Sequence, residues 1–557
     1  MKVLIVGGMA AGPKTAARLR RLVPDAEITI VEQGEFISFG SCGMPFYLAN
    51  QVPQFDSLYA TSYGVARDID FFRTRKDVKV LTGSRAVAID RARKRVSVLQ
   101  LESQDQYELE YDYLVLTTGA EAVSPPIPGL NLPGVFTVHQ PDDARQLQEY
   151  LRTSIAKHVT VIGAGVIGME VADALVGRRL KVTVCEAQQQ VLPKLLDTDI
   201  ARLVAGQMKR RKVDLQLECQ VKSVNSGVDG NVSSVTTSKG EIMTDVVVVA
   251  VGVRPRVELA RAAGLEIGTT GTIKVDAHLR TSDPSIFAAG DCASQFNVIS
   301  EQEVYVPLAS TANKQGRVVA DNIAGLDTEF TAVIGTTVLQ AFDLNIGRTG
   351  LGERDAEILG NNVITGIVSG HDAPHYYPLH GSVTIKLIAD RNSGRLLGAQ
   401  VCGQGDGVKR LDVLGTAMKF GASLSDITDL DLGYAPPYAE AIDVAIHAAN
   451  TLENKRLGLA RGLSPLAVEV LKNDGVPICF LDIREPDEVQ AKPLQEQEVL
   501  VISAGQLRDR YLEIPRDRPV IVICGLGIRS YEAVCFLRST GMKDAAYLEG
   551  GLLTWLQ

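Results

Sequence analysis

VTVIGAGVIGMEVADALVGRRLKVTVCE, residues 159–186, reads as an apolar strand, a glycine turn, a helix and a second strand closed by an acid. Gly163, Gly165 and Gly168 stand in G-x-G-x-x-G order, the spacing that lets backbone amides at a helix start approach a pyrophosphate. Glu186 follows the last glycine by 18 residues. A carboxylate there accepts hydrogen bonds from ribose hydroxyls and repels a 2′-phosphate, so NADH is expected over NADPH. Arg178 and Arg179 precede the second strand, where they do not favour the phosphorylated cofactor.

The chain opens with a second version of the same pattern. MKVLIVGGMAAGPKTAARLRRL, residues 1–22, is again strand, glycine turn and helix, and a strand over 28–31 ends in Glu32. Gly7, Gly8 and Gly12 supply the turn, with Met9 in place of the middle glycine. Two such units in one chain suggest one dinucleotide prosthetic group and one dissociable nicotinamide. Three further stretches join them: YLVLTTGA (113–120), VVVVAVGVRP (246–255) and TSDPSIFAAGDCA (281–293).

These ordered motifs resemble the pyridine-nucleotide disulfide oxidoreductase family. The resemblance implies FAD at Gly7, Gly8, Gly12, Glu32, Thr118, Gly119, Gly252, Gly290 and Asp291, with Asp291 on the ribityl–phosphate region. It implies NADH at Gly163, Gly165, Gly168 and Glu186. The expected fold class is α/β: two Rossmann-like nucleotide-binding domains, an α+β dimerisation domain and a C-terminal rhodanese-like α/β domain. The expected boundaries are 1–150 and 254–325 for the discontinuous FAD domain, 151–253 for the NADH domain, 326–447 for dimerisation and 460–557 for the rhodanese-like domain.

Of the eight cysteines, none forms a C-x-x-C pair. Cys42, in FISFGSCGMPFYLA (36–49), precedes Gly43 and Pro45 and is expected to start a helix whose amides and dipole lower its pKa. The resemblance places this sulfur against the flavin. Tyr47 stands where two-cysteine relatives carry a second thiol, and no C-terminal His–Pro pair appears. A solitary thiol must therefore cycle through a mixed disulfide, a persulfide or a sulfenic acid. That points to coenzyme A disulfide and persulfide reductases, or to NADH oxidases and peroxidases.

Lys14, Arg18 and Arg21 share one face of the first helix, a cationic surface suited to the phosphates of coenzyme A. Ser38, Ser41 and Asn313 are expected to add polar contacts, Asn313 on the strength of the resemblance. DAPHYYP (372–378) and GYAPPY (433–438) resemble the tyrosine loops of coenzyme A disulfide reductases. There a partner subunit's tyrosines assist the leaving sulfur, which implies a homodimer. Tyr376 and Tyr434 are the expected pair, with Tyr377 and Tyr438 as competitors. His371, His375 and His380 nearby lack zinc-ligand spacing, and no metal is expected.

From about residue 459 the texture changes. LDIREPDE (481–488) and CGLGIRS (524–530) resemble the rhodanese domain, with Cys524 as sulfur carrier and Arg529 closing its loop. Four residues, 525–528, separate Cys524 from Arg529, a loop that suits one sulfur atom better than a phosphate. Successive loop amides are expected to face that sulfur. Cys479 and Cys535 are expected in the core.

Composition bounds the rest. Lys and Arg number 57 against 66 Asp and Glu in 557 residues, a net charge of −9 that argues against nucleic acid. No apolar run reaches membrane-span length, and a strand-like start at residue 3 leaves no room for a signal peptide, so a cytoplasmic enzyme is expected. The whole reading is an NADH-dependent reductase of coenzyme A persulfide, polysulfide or coenzyme A disulfide with a sulfane-carrying rhodanese domain. The alternatives are an NADH oxidase or peroxidase, and a protein that is chiefly a sulfurtransferase or sulfur carrier.

Overall fold

In the computed structural model, which describes residues 1–555, the opening strand Lys2–Val6 lies at the centre of a parallel sheet. The strand order is Ile286–Ala288, Tyr113–Leu116, Lys2–Val6, Glu27–Val31, Lys79–Leu81. The strand is apolar on both faces because both are covered. Val3 and Ile5 enter the core under helices Ala11–Leu22 and Ala309–Ile323. Leu4 and Val6 enter the opposite core with Val96 and Val98 of an antiparallel layer. Each such side chain contributes about 1.5–3 kcal/mol on burial.

A second parallel sheet runs Lys181–Cys185, His158–Ile162, Val246–Val249, Val135–Thr137, with helix Val166–Gly177 following the second glycine turn. Val246–Val249 is fully buried, and the strand stops short of the exposed Val251. By its contacts the chain divides into two units, and both of these sheets belong to Met1–Ala187 with Gln216–Val333.

The other unit comprises Gln188–Leu215 and Ile334–Gln557. Its first sheet is antiparallel, in the order Thr337–Ala341, Leu344–Gly350, Leu396–Gly403, Ser382–Asp390, Val363–His371. Its second is parallel, in the order Gly462–Leu463, Ala546–Leu548, Val520–Ile523, Cys479–Asp482, Val499–Val501. Cys479 is buried on its strand, and Cys535 is half-buried on helix Ile528–Ser539.

Helix Thr198–Arg210, inside the stretch read from sequence as the 151–253 domain, packs on Leu396–Gly403. The fixing element is Lys386, 1% exposed, whose Nζ lies 3.1 Å from Asp197, 3.1 Å from Asp199 and 2.6 Å from Glu353. Burial pulls the ammonium pKa down, but three carboxylates outweigh that and hold it above its ordinary value. Lys386→Met strands those carboxylates and is expected to cost about 3–5 kcal/mol. A melting temperature of the full chain equal to wild type would contradict this account of the contact.

Candidate functional site

The first unit carries both glycine turns. Strand Lys2–Val6 ends at Gly7, with φ +112°, and a β-carbon there would stand 2.0 Å from the Thr117 carbonyl oxygen. Only glycine allows that crossing. Gly163 repeats it, with φ +102° and a β-carbon position 2.5 Å from the Ala250 carbonyl oxygen. The acids expected on the riboses are anchored to their turns: Glu32 Oε2 accepts from Gly8 N at 2.6 Å, and Glu186 Oε2 accepts from Ala164 N at 2.7 Å. Neither Ala11–Leu22 nor Val166–Gly177 has an acid in its first turn, so each helix start keeps its partial positive charge for an anion.

The same unit contains a polar cradle fit for a dinucleotide. Gly119 and Gly252 have positive φ, and open space surrounds the position of a β-carbon on either. Thr118 Oγ1 donates to the Arg256 carbonyl at 2.6 Å, fixing the turn that bears Gly119. Gln315, fully buried, accepts from Gly290 N at 2.8 Å through Oε1, while its Nε2 has no hydrogen-bond partner among the described residues. Burial pushes the neighbouring Asp291 carboxyl up. An orphaned amide nitrogen beside a desolvated acid is what a polar cofactor edge would satisfy.

Cys42 is exposed, in the one-turn 3₁₀ helix Ser41–Gly43 ahead of helix Met44–Leu48. Ser38 N donates to Gly8 O at 2.7 Å, which ties this loop to the first glycine turn. Met44–Leu48 packs against Val166–Gly177. The expectation of a lowered thiol pKa is corrected: the surrounding protein desolvates Cys42 and the charges of Glu170 and Asp291 oppose its thiolate, so the pKa is raised. The helix is too short, and the nearby groups too acidic, for the dipole to win.

Glu170 was missed in the sequence, where it reads as one acid in an apolar helical run. Burial lifts its carboxyl to about 7, which places a titrating group of neutral pKa within electrostatic reach of Cys42. Arg178 Nη1 donates to Leu48 O at 2.9 Å, so this guanidinium is committed to the Cys42 segment. Of the cationic triplet, Arg18 Nε pairs with the nearly buried Asp321 at 2.7 Å. Lys14 and Arg21 carry no ion pair among the described residues. Ser38 Oγ accepts from Arg67 at 3.4 Å, Ser41 flanks the thiol, and exposed Asn313 donates to the Ala309 carbonyl of its own helix.

In the second unit Tyr376 and Tyr434, from two separate loops, lie close enough to interact, and the neighbouring Tyr434 hydroxyl raises the Tyr376 pKa. Both rings are exposed. Arg410, itself buried, staples the two loops by donating to the carbonyls of Asp372 at 2.8 Å and Tyr438 at 3.2 Å while pairing with Asp443 at 2.8 Å. The histidines around the first loop act in packing and turns: His371 and His380 meet edge to face, and His380 Nδ1 lies 2.7 Å from the Tyr377 carbonyl.

Cys524 is buried at the end of Val520–Ile523. The expectation of several amides on its sulfur is corrected, among the described residues, to one: Gly527 N donates to Sγ at 3.1 Å, and Ser530 Oγ lies 3.3 Å away. Helix Ile528–Ser539 begins directly after Gly527 and aims its start at the loop. Both terminal guanidinium nitrogens of Arg529 reach Glu488 at 2.7 Å, and this pair holds the Glu488 carboxyl down at about 2. Glu488 is another residue the sequence reading did not single out as a partner of Arg529.

These features define a flavin- and nicotinamide-type disulfide oxidoreductase joined to a sulfurtransferase-like module. Residues 1–316 match the pyridine nucleotide-disulphide oxidoreductase family, 337–446 its dimerisation domain and 465–557 the rhodanese-like domain. The chain belongs to the pyridine nucleotide-disulphide oxidoreductase family, and it is an oxidoreductase. It is 34% identical over 452 residues to the CoA-dependent NAD(P)H sulfur oxidoreductase of Pyrococcus furiosus, covering 81% of this chain and 99% of that one. The NAD-dependent persulfide reductase from A. fulgidus superposes with a TM-score of 0.95 at 39% identity, covering 100% of both chains. The reduced CoADR-RHD of Bacillus anthracis gives 0.91 at 34% identity, covering 100% of this chain and 97% of that one.

The Glu170 carboxyl gives a pH prediction. Below pH 7 it is neutral and places no charge against Cys42; above pH 7 it is anionic and opposes the thiolate. Glu170→Gln is expected to speed iodoacetamide alkylation of Cys42 about threefold at pH 8.5, a pKa change of about half a unit, and to leave it unchanged at pH 6. Equal rates at both pH values would sink this assignment.

Proposed function

We propose that this chain uses NADH to reduce the S–S bond of coenzyme A persulfide, polysulfide or coenzyme A disulfide through FAD and Cys42, while Cys524 carries sulfane sulfur. The observation that carries the reading is an exposed single thiol in the unit that holds two dinucleotide turns, in a chain with a second thiol set in a rhodanese loop. The overall likeness to a persulfide reductase along the entire length supports it.

Gly7, Gly8, Gly12, Glu32, Thr118, Gly119, Gly252, Gly290 and Asp291 would hold FAD, which when bound supplies a two-electron relay between nicotinamide and thiol. Gly163, Gly165 and Gly168 would seat the NADH pyrophosphate, and Glu186 the adenosine ribose. Arg178 is engaged at Leu48 and so is not turned to a 2′-phosphate, which favours NADH. Lys14 and Arg21 would take coenzyme A phosphates, with Ser38, Ser41 and Asn313 contributing polar contacts, and Arg18 would set the helix face through Asp321.

The Cys42 thiolate attacks the substrate disulfide or persulfide, forming an S–S bond to Cys42 and expelling a thiolate. Tyr376 and Tyr434 of the partner subunit's loops in a homodimer would donate the proton that lets this thiolate leave. Two electrons from NADH then cleave the new S–S bond and restore the thiolate. For a persulfide the sum is NADH, a proton and RSSH giving NAD⁺, RSH and H₂S. Since the protein itself raises the Cys42 pKa, the reacting thiolate is a minority form at neutral pH.

Cys42→Ser is expected to lower NADH oxidation with coenzyme A disulfide or polysulfide by at least about 10³-fold, a loss typical of removing a covalent nucleophile. Cys524→Ser is expected to spare the coenzyme A disulfide reaction and remove sulfur transfer to coenzyme A. Full turnover by Cys42→Ser, or brisk oxygen consumption without any coenzyme A species, would overturn the reductase reading. Replacing Tyr376 and Tyr434 together by Phe is expected to lower kcat about 10²-fold with little change in the KM for NADH; an unaltered kcat would remove them from the proton path.

A further inference from the structure

The turn that supports the Cys524 loop is also the turn that fastens the rhodanese-like domain to the dimerisation domain. Glu549 follows strand Ala546–Leu548 and is 1% exposed. One of its carboxylate oxygens meets Lys455 Nζ at 2.6 Å, and the other accepts from Ile367 N at 3.2 Å. Lys455 closes the contact by donating to the Thr365 carbonyl at 2.8 Å. A carboxylate of the rhodanese-like domain is thus bound by a strand amide of the dimerisation domain and by a cation on helix Val444–Arg456, which leaves that domain and packs on its strand Val363–His371.

The residues immediately after Glu549 form the floor of the sulfur loop. Leu552 N donates to Cys524 O at 2.9 Å and Leu553 N to Gly525 O at 3.3 Å. A β-carbon on Gly551 would lie 2.6 Å from Gly527 N, the amide that donates to the Cys524 sulfur. Thr554 Oγ1 donates to Glu549 O at 2.7 Å, tying this floor back to the anchor. Two outer contacts hold the same domain: Arg202 to Glu469 at 2.6 Å, and Asn454 Nδ2 donating to Tyr531 Oη at 2.9 Å.

We propose that Glu549 is a positioning residue that holds the Cys524 loop at a fixed station on the dimerisation domain, so that sulfur passes to coenzyme A from a docked domain and not from a tethered one. The inference rests on the proposed function. The step it serves is attack of coenzyme A thiolate on the outer sulfur of the Cys524 persulfide. The new bond joins that sulfur to coenzyme A, the Cys524 S–S bond breaks, and Cys524 leaves as thiolate; no net oxidation occurs. A carrier that must present one sulfur atom to an incoming thiol loses rate steeply when its placement is loosened by about 1 Å.

The test uses the full-length holoenzyme and Glu549→Ala. Three readouts are taken: NADH oxidation with coenzyme A disulfide, loading of Cys524 by polysulfide followed by mass spectrometry, and the Cys524-dependent part of NADH oxidation with polysulfide plus coenzyme A. That last part is wild type minus Cys524→Ser. The first two are expected to stay within about twofold, and the third to fall about tenfold or more in kcat with the KM for NADH unchanged. Amide exchange at Ile367 is expected to accelerate, reporting the lost dock directly. An unchanged third rate overturns the proposal, and so does a parallel loss of Cys524 loading, which would make Glu549 a support of the loop alone. Equal rates for wild type and Cys524→Ser would instead defeat the functional reading beneath it.

Discussion

Where each nucleotide unit turns from its first strand into its helix, two backbones cross at a distance that admits no side chain. The Thr117 carbonyl oxygen lies 2.0 Å from where a Gly7 β-carbon would stand, and the Ala250 carbonyl oxygen 2.5 Å from the same position on Gly163. Everything chemical in the first unit hangs from these crossings. They aim the starts of Ala11–Leu22 and Val166–Gly177, they place Glu32 and Glu186 against their own turns, and the Gly8 carbonyl receives Ser38 N of the Cys42 loop. A larger residue would displace the strand ends, the helix starts and the thiol together.

The electrostatics of the two thiols differ in kind. Cys42 is exposed yet faces acids, so the protein withholds its thiolate; Cys524 is buried yet receives an amide and a helix start, with the Ser530 hydroxyl oxygen alongside. An accessible thiol with a raised pKa resists adventitious oxidation while idle, because thiolate is the oxidisable form. A buried sulfur with a donor lining suits retention of a persulfide anion away from water. The division between a thiol that meets substrate and a sulfur that waits follows from these surroundings, not from any difference in the residue itself.

Much of this was legible in the sequence. Glycine spacing, terminal acids on strands and the Cys–Arg loop length are local features, set by backbone geometry over a few residues, and they led to the domain classes that the family matches bear out. What failed were statements about the charge around a group. Cys42 seemed to gain from a helix start, but its helix, Met44–Leu48, is short and Glu170 arrives from a segment over a hundred residues away. The acids that pair with Arg18 and Arg529, Asp321 and Glu488, were not legible as partners because they lie far from them in the chain.

The two dinucleotide turns, the solitary thiol at Cys42 with Tyr47 in place of a partner, and the four-residue loop after Cys524 are written in residue order, since each depends on neighbours along the chain. Tertiary structure alone decided which charges meet. It joined Tyr376 to Tyr434, set Glu170 beside Cys42, gave Lys386 its three acids and buried Glu549 against Lys455. The reason is the range of the forces: backbone sterics act between adjacent residues and are written in order, whereas desolvation and charge pairing depend on what folding brings within a few ångströms, whatever its distance in sequence.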